Sequence, residues 1–133
     1  MKRTLTLLAL IVGASFATAA TPTDAQIDAA MKKADPDNDG TLDLKEALKF
    51  GISRKAFEAA NPDKDGTLDR KEMLAAVTAM FEAANPDKDG TLDWKEARKA
   101  GIKSRKTFDA ANPDKDGTLD LAEYLVALTL QAR

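Results

Sequence analysis

The sequence predicts an all-α bundle in which short, partly shared helices flank four acidic loops. A twelve-residue acidic pattern occurs four times between positions 35 and 123. The segments between its copies are only 12 to 15 residues long, and they carry apolar residues at helical spacing. Cysteine and histidine are both absent, so a metal ion bound by this chain would have oxygen ligands.

The first copy of the pattern spans positions 35–46. It fits the EF-hand loop signature D-x-[DN]-x-[DN]-G-x5-E without a mismatch. In that loop, side chains at positions 1, 3, 5, 9 and 12 and the backbone carbonyl at position 7 supply oxygen atoms, while glycine at position 6 permits a sharp turn. The predicted ligands of the first loop are Asp35, Asp37, Asp39, Thr41, Asp43 and Glu46.

The other three copies keep this spacing but begin with asparagine. The predicted ligands are Asn61, Asp63, Asp65, Thr67, Asp69 and Glu72 in the second loop, Asn85, Asp87, Asp89, Thr91, Asp93 and Glu96 in the third, and Asn112, Asp114, Asp116, Thr118, Asp120 and Glu123 in the fourth. Four matches in one short chain favour metal sites over acidic surface turns. The predicted cargo is up to four Ca²⁺ or lanthanide(III) ions, because both are hard cations that prefer oxygen.

Residues 1–20 are predicted to form a secretory signal peptide. Two basic residues precede an apolar run at 5–12, and the small residues ending at Ala19 fit the cleavage rule. The alternative is an uncleaved membrane anchor, for which the apolar run is too short to span a bilayer stably. We therefore expect a periplasmic protein without a stable membrane anchor after cleavage, in which 21–133 form a single domain.

Charge is segregated along the expected mature chain. Seventeen of its 22 acidic residues lie in the loops, which leaves a basic scaffold. A basic scaffold can indicate nucleic-acid binding, but the expected export and an aromatic content of 5% argue against it. An enzyme is not predicted either, because histidine and cysteine are missing and every clustered carboxylate is assigned to a loop.

Helices are predicted on both outer sides of the four loops. Thr23 and Gln26 have the spacing of a capping box at the start of the first helix. Its apolar positions are Ile27, Ala30, Met31 and Ala34. The helix that leaves the fourth loop has its apolar positions at Leu121, Leu125 and Leu128, with Tyr124 beside them.

The segments between the loops are too short for two full helices and a linker each. Gly51 and Ser53 predict a helix end followed by a helix start, and Gly101 and Ser104 repeat this arrangement. The middle segment, 73–84, has no glycine, proline or serine. We therefore expect one helix of about 15 residues that serves both the second and the third loop.

These features describe a duplicated two-loop unit. Residues 35–84 resemble residues 85–133, with one insertion near Lys103. The large apolar side chains predicted to fill the core are Phe50, Phe57, Phe81, Phe108, Met73 and Met80. Because this core is small and disulfides are excluded, folding without metal is expected to be marginal.

Two loop positions depart from the commonest calcium-binding loops. Proline occupies position 2 in every loop, at Pro36, Pro62, Pro86 and Pro113. It can penalise ions of the wrong size by stiffening the loop, or it can act only by restricting the unfolded chain. Aspartate occupies position 9 throughout, which gives the first loop five carboxylates. Five carboxylates suit a trivalent ion better than a divalent one, because the higher charge offsets their repulsion.

The repeated D/N-P-D-x-D-G-T-L-D-x-x-E pattern, the short inter-loop segments and the signal peptide together resemble the lanmodulin family. The resemblance covers the whole expected mature chain. It implies an exported bacterial protein that binds lanthanides in preference to calcium and becomes ordered on binding. It also implies a compact bundle of short helices in which neighbouring loops pack in an unusual arrangement.

Three loops depart from that family pattern. They open with Asn61, Asn85 and Asn112 and carry lysine at position 4, at Lys64, Lys88 and Lys115. Both changes reduce the negative charge around the ion, so these loops are expected either to bind more weakly or to be closer to ordinary calcium sites. A periplasmic calcium buffer and a calcium sensor that grips a protein are the alternatives, and the sequence does not identify a protein partner.

Overall fold

The computed structural model describes residues 21–113 and 115–132. The predicted signal peptide and Asp114 lie outside the described residues. The helices are α1 (Asp24–Ala34), α2 (Leu44–Phe50), α3 (Arg54–Ala59), α4 (Arg70–Ala83), α5 (Trp94–Lys99), α6 (Arg105–Ala110) and α7 (Leu121–Gln131). The strands are β1 (Leu42–Asp43) and β2 (Thr67–Leu68). The predicted mostly helical fold is confirmed, and none of the described helices is long and apolar enough to cross a membrane.

Local capping explains where the short helices begin and end. The predicted capping box of α1 is present, with the Gln26 N–H donating to Thr23 Oγ1 at 3.1 Å and the Thr23 N–H donating to Gln26 Oε1 at 2.9 Å. Gly51 ends α2 with a φ of 114°, a left-handed conformation that glycine adopts without a steric cost. Ser53 and Ser104 then cap α3 and α6, as the sequence predicts.

The shared central helix is present as α4, whose 14 residues run from the second loop to the third. One face of the helix is buried, at Met73, Ala76, Val77 and Phe81. Because no break separates the two ends, the exit from the second loop and the entry to the third are parts of one rigid element.

The loops pair in sequence order. Leu42 in β1 pairs with Leu68 in β2 within a two-stranded antiparallel sheet. Leu92 and Leu119 form an isolated antiparallel bridge between the third and fourth loops, with N–H···O distances of 2.7 and 2.8 Å. All four leucines occupy position 8 of their loops and are fully buried. The unusual loop packing implied by the resemblance is therefore not seen in the strand pairing, which joins neighbouring loops two by two.

The predicted core residues lie in one hydrophobic cluster. Five of the six are buried, and Met80 is half-buried against the same cluster. The Tyr124 hydroxyl is also buried and donates a 2.6 Å hydrogen bond to the Ala100 carbonyl. Burial raises the pKa of this phenol far above its usual value, so it remains a neutral donor. Helices α1 and α7 pack together, and the C-terminal end of α7 lies beside the C-terminal end of α1.

Candidate metal loops

All four loops make the same backbone turn. The glycine at position 6 has φ values of 85°, 83°, 84° and 84°, at Gly40, Gly66, Gly90 and Gly117. The residue at position 4 is also left-handed, at Asn38, Lys64, Lys88 and Lys115, with φ between 55° and 59°. Asparagine adopts this conformation more readily than lysine does. The conformation at position 4 was not predicted from the sequence.

The aspartate at position 5 stabilises the turn by accepting hydrogen bonds from within the loop. Asp39 Oδ1 accepts hydrogen bonds from both the backbone N–H and the hydroxyl of Thr41, at 2.8 and 3.0 Å. The same two bonds occur in the other loops, at Asp65–Thr67, Asp89–Thr91 and Asp116–Thr118, with distances from 2.9 to 3.2 Å. The threonine side chain therefore orients a predicted ligand, in addition to the role expected for its backbone carbonyl.

Positions 9 and 12 form a reciprocal capping box in every loop. The Glu46 N–H donates to Asp43 Oδ1 at 2.8 Å, and the Asp43 N–H donates to Glu46 Oε1 at 2.9 Å. The same pair occurs at Asp69–Glu72, Asp93–Glu96 and Asp120–Glu123. Sequence reasoning assigned these residues only to metal binding, although D-x-x-E has capping-box spacing. A bidentate contact from Glu46 to an ion would have to replace its bond to the Asp43 N–H.

The first loop gathers three carboxylates around one point. Single oxygen atoms of Asp35, Asp37 and Asp39 all lie within 4.8 Å of one another. Asp35 is only 5% exposed, and its Oδ2 accepts the Gly40 N–H at 2.9 Å. Its Oδ1 is buried and has no hydrogen-bond partner. A buried carboxylate oxygen without a donor is costly, and a cation beside it would remove that cost.

The pKa values of Asp35 and Asp37 shift in opposite directions within this cluster. Burial raises the pKa of Asp35, because it opposes ionisation. Hydrogen bonding to the Asp37 carboxyl and to backbone N–H groups of the loop lowers it by more, so the net effect is a lowered pKa. The backbone donors are Gly40, Asp39 and Asn38. Contact with Asp35 raises the pKa of Asp37, and burial and nearby carboxylates add to that rise. Asp35 therefore carries the more persistent negative charge, and it is the inner member of the cluster.

The asparagines at position 1 occupy equivalent places. Asn61, Asn85 and Asn112 are 5–7% exposed, close to the value for Asp35. The four loops thus present the same kind of buried group at position 1, with a charge only in the first. The ligand roles of all four sets stay predictions, including that of Asp114, which lies outside the described residues.

Comparisons with known proteins do not show a family for this chain. No protein-family model and no curated protein matches the chain. Among solved structures, the chain is similar to a homolog of programmed cell death 6 protein from Leishmania major Friedlin. The two are 16% identical, the match covers 79% of this chain and 78% of that chain, and the TM-score is 0.35. A likeness this distant supports no inference about function, which is instead argued from the loops.

Proposed function

We propose that this chain is an exported EF-hand-type protein that binds hard cations, prefers trivalent lanthanides to calcium, and folds as it binds them. The observation that carries the proposal is the buried, unpartnered Asp35 Oδ1 within a cluster of three carboxylates. A bound cation would supply the missing partner for this oxygen. Glu46 and Asp43 stand at the start of α2, where their carboxylates would complete the shell.

The preference for a trivalent ion rests on charge. The predicted shell of the first loop contains five carboxylates, so a divalent cation would leave a net charge of about −3 and a trivalent one about −2. The residual repulsion is smaller with the trivalent ion. The asparagine-opened loops have one carboxylate fewer, so their preference should be less pronounced.

Folding on binding follows from the distribution of acid and apolar groups. Seventeen acidic residues lie in four loops of a chain that has no cysteine to form disulfides. Without ions, their repulsion opposes the compact state. An ion that binds only the folded chain stabilises it by mass action, so helix content should depend on metal concentration.

The decisive experiment is a pair of circular-dichroism titrations of the protein lacking residues 1–20, one with calcium and one with lanthanum. Helix content should rise with both ions, and at a lower free concentration of lanthanum. Asp35→Asn should move the lanthanum midpoint to higher concentration. Glu82→Gln is the matched control, because Glu82 is an exposed acid outside the loops and its loss changes the charge equally.

Each result of these titrations has a defined meaning. Equal midpoints for the two ions would exclude lanthanide preference and favour a calcium buffer. Helix content that is the same with metal and with a chelator would exclude metal-coupled folding. A calcium sensor is less well supported, since Leu48 and Leu130 are the only exposed large hydrophobic residues in the described part of the chain.

Export is proposed from residues 1–20 alone, and it has a separate test. The full-length gene should yield a periplasmic protein whose N-terminus begins after Ala19 or Ala20. N-terminal sequencing of the periplasmic fraction measures this directly. A cytoplasmic protein that retains residues 1–20 would exclude export without affecting the metal proposal.

A further inference from the structure

A basic groove lies on the side of the molecule formed by α6 and the C-terminal ends of α1, α2 and α7. Its volume is about 900 Å³. The groove is lined by Lys33, Lys49, Lys103, Ser104, Lys106, Thr107, Leu130, Gln131 and Ala132. Four of these residues are cationic and none is acidic, so the lining has a strongly positive potential.

The four lysines have no ion-pair partners among the described residues. The ion pairs of that part of the chain are made by Arg54, Arg70 and Arg105, with acids on the same or a neighbouring helix. Lys33 and Lys49 also line a neighbouring cavity that contains Asp43 and Glu46, whereas Lys103 and Lys106 share no described cavity with an acidic residue. Four lysines around one concavity repel one another, and an anion between them would reduce that repulsion.

Helix ends explain only half of this cluster. Lys33 and Lys49 lie in the last turns of α1 and α2, where a cation offsets the negative end of the helix dipole. Lys106 instead lies in the first turn of α6, where a cation is unfavourable. Its position therefore has no stabilising explanation within its own helix.

Lys103 adds an independent observation. It is the residue inserted in the second half of the repeat, and Lys33, two residues before the first loop, corresponds to Ala83, two residues before the third. The inserted segment is held in place by Gln131, whose Oε1 accepts the Lys103 N–H at 3.0 Å and whose Nε2 donates to the Gly101 carbonyl at 2.7 Å. Two of the four charges are thus specific to this side of the molecule.

We propose that this groove binds an anionic ligand that carries several phosphate groups. Lysine ammonium groups bind phosphate as mobile point charges, and four of them match a ligand with several charged groups better than a single small ion. Leu130, which is 53% exposed, offers an apolar contact in the same groove. The phosphate groups can belong to a free polyphosphorylated molecule or to lipid headgroups, and the test separates these sources.

The test uses calorimetric titration of the calcium-loaded protein with myo-inositol hexasulfate. Sulfate esters imitate phosphate groups but compete weakly for calcium, so the loops keep their ions. The groove variant is Lys33→Gln/Lys106→Gln, and the matched control is Lys32→Gln/Lys55→Gln, which removes two lysines that do not line the groove. The groove variant should lose affinity about ten-fold or more, and the control less than about three-fold. A second arm measures co-sedimentation with phosphatidylglycerol vesicles, against phosphatidylcholine vesicles.

Hexasulfate binding that only the groove variant loses supports a free ligand, and vesicle binding with the same discrimination supports lipid headgroups. No binding to either probe, or equal losses in both variants, overturns the proposal. Circular dichroism checks that both variants fold. If the groove variant does not fold, the single substitution Lys103→Gln takes its place. Calcium titrations of both variants, followed by circular dichroism, keep this test separate from the metal proposal: no groove lysine belongs to a loop, so the calcium midpoints should be unchanged whether or not the groove binds the probe.

Discussion

The first pair of loops, 35–72, and the second pair, 85–123, have the same backbone but different charge. Both pairs make the same left-handed turns, and every loop has the capping box at positions 9 and 12. They differ at position 1 of the leading loop, where the first pair has Asp35 and the second has Asn85, with nearly equal burial. The repeated pattern therefore gives both pairs the same turn, and we expect the residues at positions 1 and 4, Asp35 and Asn38 against Asn85 and Lys88, to set how strongly each leading loop attracts a cation.

The two pairs also differ in how their loops are joined. The first pair has a two-residue ladder, and the second has a single bridge between Leu92 and Leu119. All the position 8 leucines are nonetheless fully buried. Side-chain packing, more than the number of backbone bonds, is therefore expected to hold each pair together.

The largest expected effect comes from removing these leucines. Leu68→Ala and Leu119→Ala should each lower the free energy of unfolding of the calcium-loaded protein by about 2–5 kcal/mol, because each leaves a cavity in the core. Urea unfolding monitored by circular dichroism measures both. A cost below about 1 kcal/mol for Leu119→Ala alone would show that the second pair is packed more loosely than the first.

The next effect concerns the glycines that end the first helix of each half. Gly51→Ala should cost about 2 kcal/mol and Gly101→Ala about 1 kcal/mol, since both residues have positive φ. A Cβ at Gly51 would lie 3.0 Å from Leu128 Cδ2, whereas one at Gly101 would meet only the Gly51 carbonyl at 3.9 Å. The same urea experiment ranks them, and the reverse order would contradict the packing of α7 against the first half.

Exchanging position 1 between the pairs tests the role of charge. Asp35→Asn should weaken the tightest lanthanum-binding phase about ten-fold, and Asn85→Asp should strengthen the third loop by a similar factor, since ligand charge tunes EF-hand affinity. A ten-fold change corresponds to about 1.4 kcal/mol. Competitive titration against a chelator measures both variants. An unchanged tightest phase in Asp35→Asn would mean that another loop provides it.

The smallest effect separates two equivalent arginines. Arg54 and Arg105 each pair with an acid one turn later, at 3.2 and 3.1 Å. Arg105 also lies over the Trp94 and Phe108 rings, 5.7 and 5.5 Å from their centroids. Arg54→Gln should cost about 0.3–0.5 kcal/mol, and Arg105→Gln about 0.5–1 kcal/mol more.

Tryptophan fluorescence gives this last comparison a local readout. Arg105→Gln should change the emission of Trp94, the only tryptophan, while Arg54→Gln should leave it unchanged. If both substitutions altered the emission equally, the cation–π contact would not be specific to the second half of the chain.

Local patterns predicted much of the fold, and the reasons are visible at particular residues. Gly51 and Ser53 mark a helix end and start because their chemistry acts within one turn, and the lack of breakers in 73–84 predicted α4. The second role of Asp43 and Glu46 was missed, although its spacing is local, because the same residues already fitted a metal loop. The unpartnered oxygen of Asp35 could not be predicted, since it depends on tertiary burial. The basic groove combines lysines from positions 33 to 106 with residues 130–132, which only folding brings together.

The uninterrupted central helix has a mechanical consequence. At 1.5 Å per residue, the 14 residues of α4 form a strut about 21 Å long, with a loop attached at each end. Helices α1 and α7 both pack against this strut and against each other. The strut therefore cannot act as a hinge, and the two sequence halves cannot swing apart as separate lobes. If the ion-loaded molecule is stretched from its two ends, it should unfold in one step, at a force set by the α1–α7 contact.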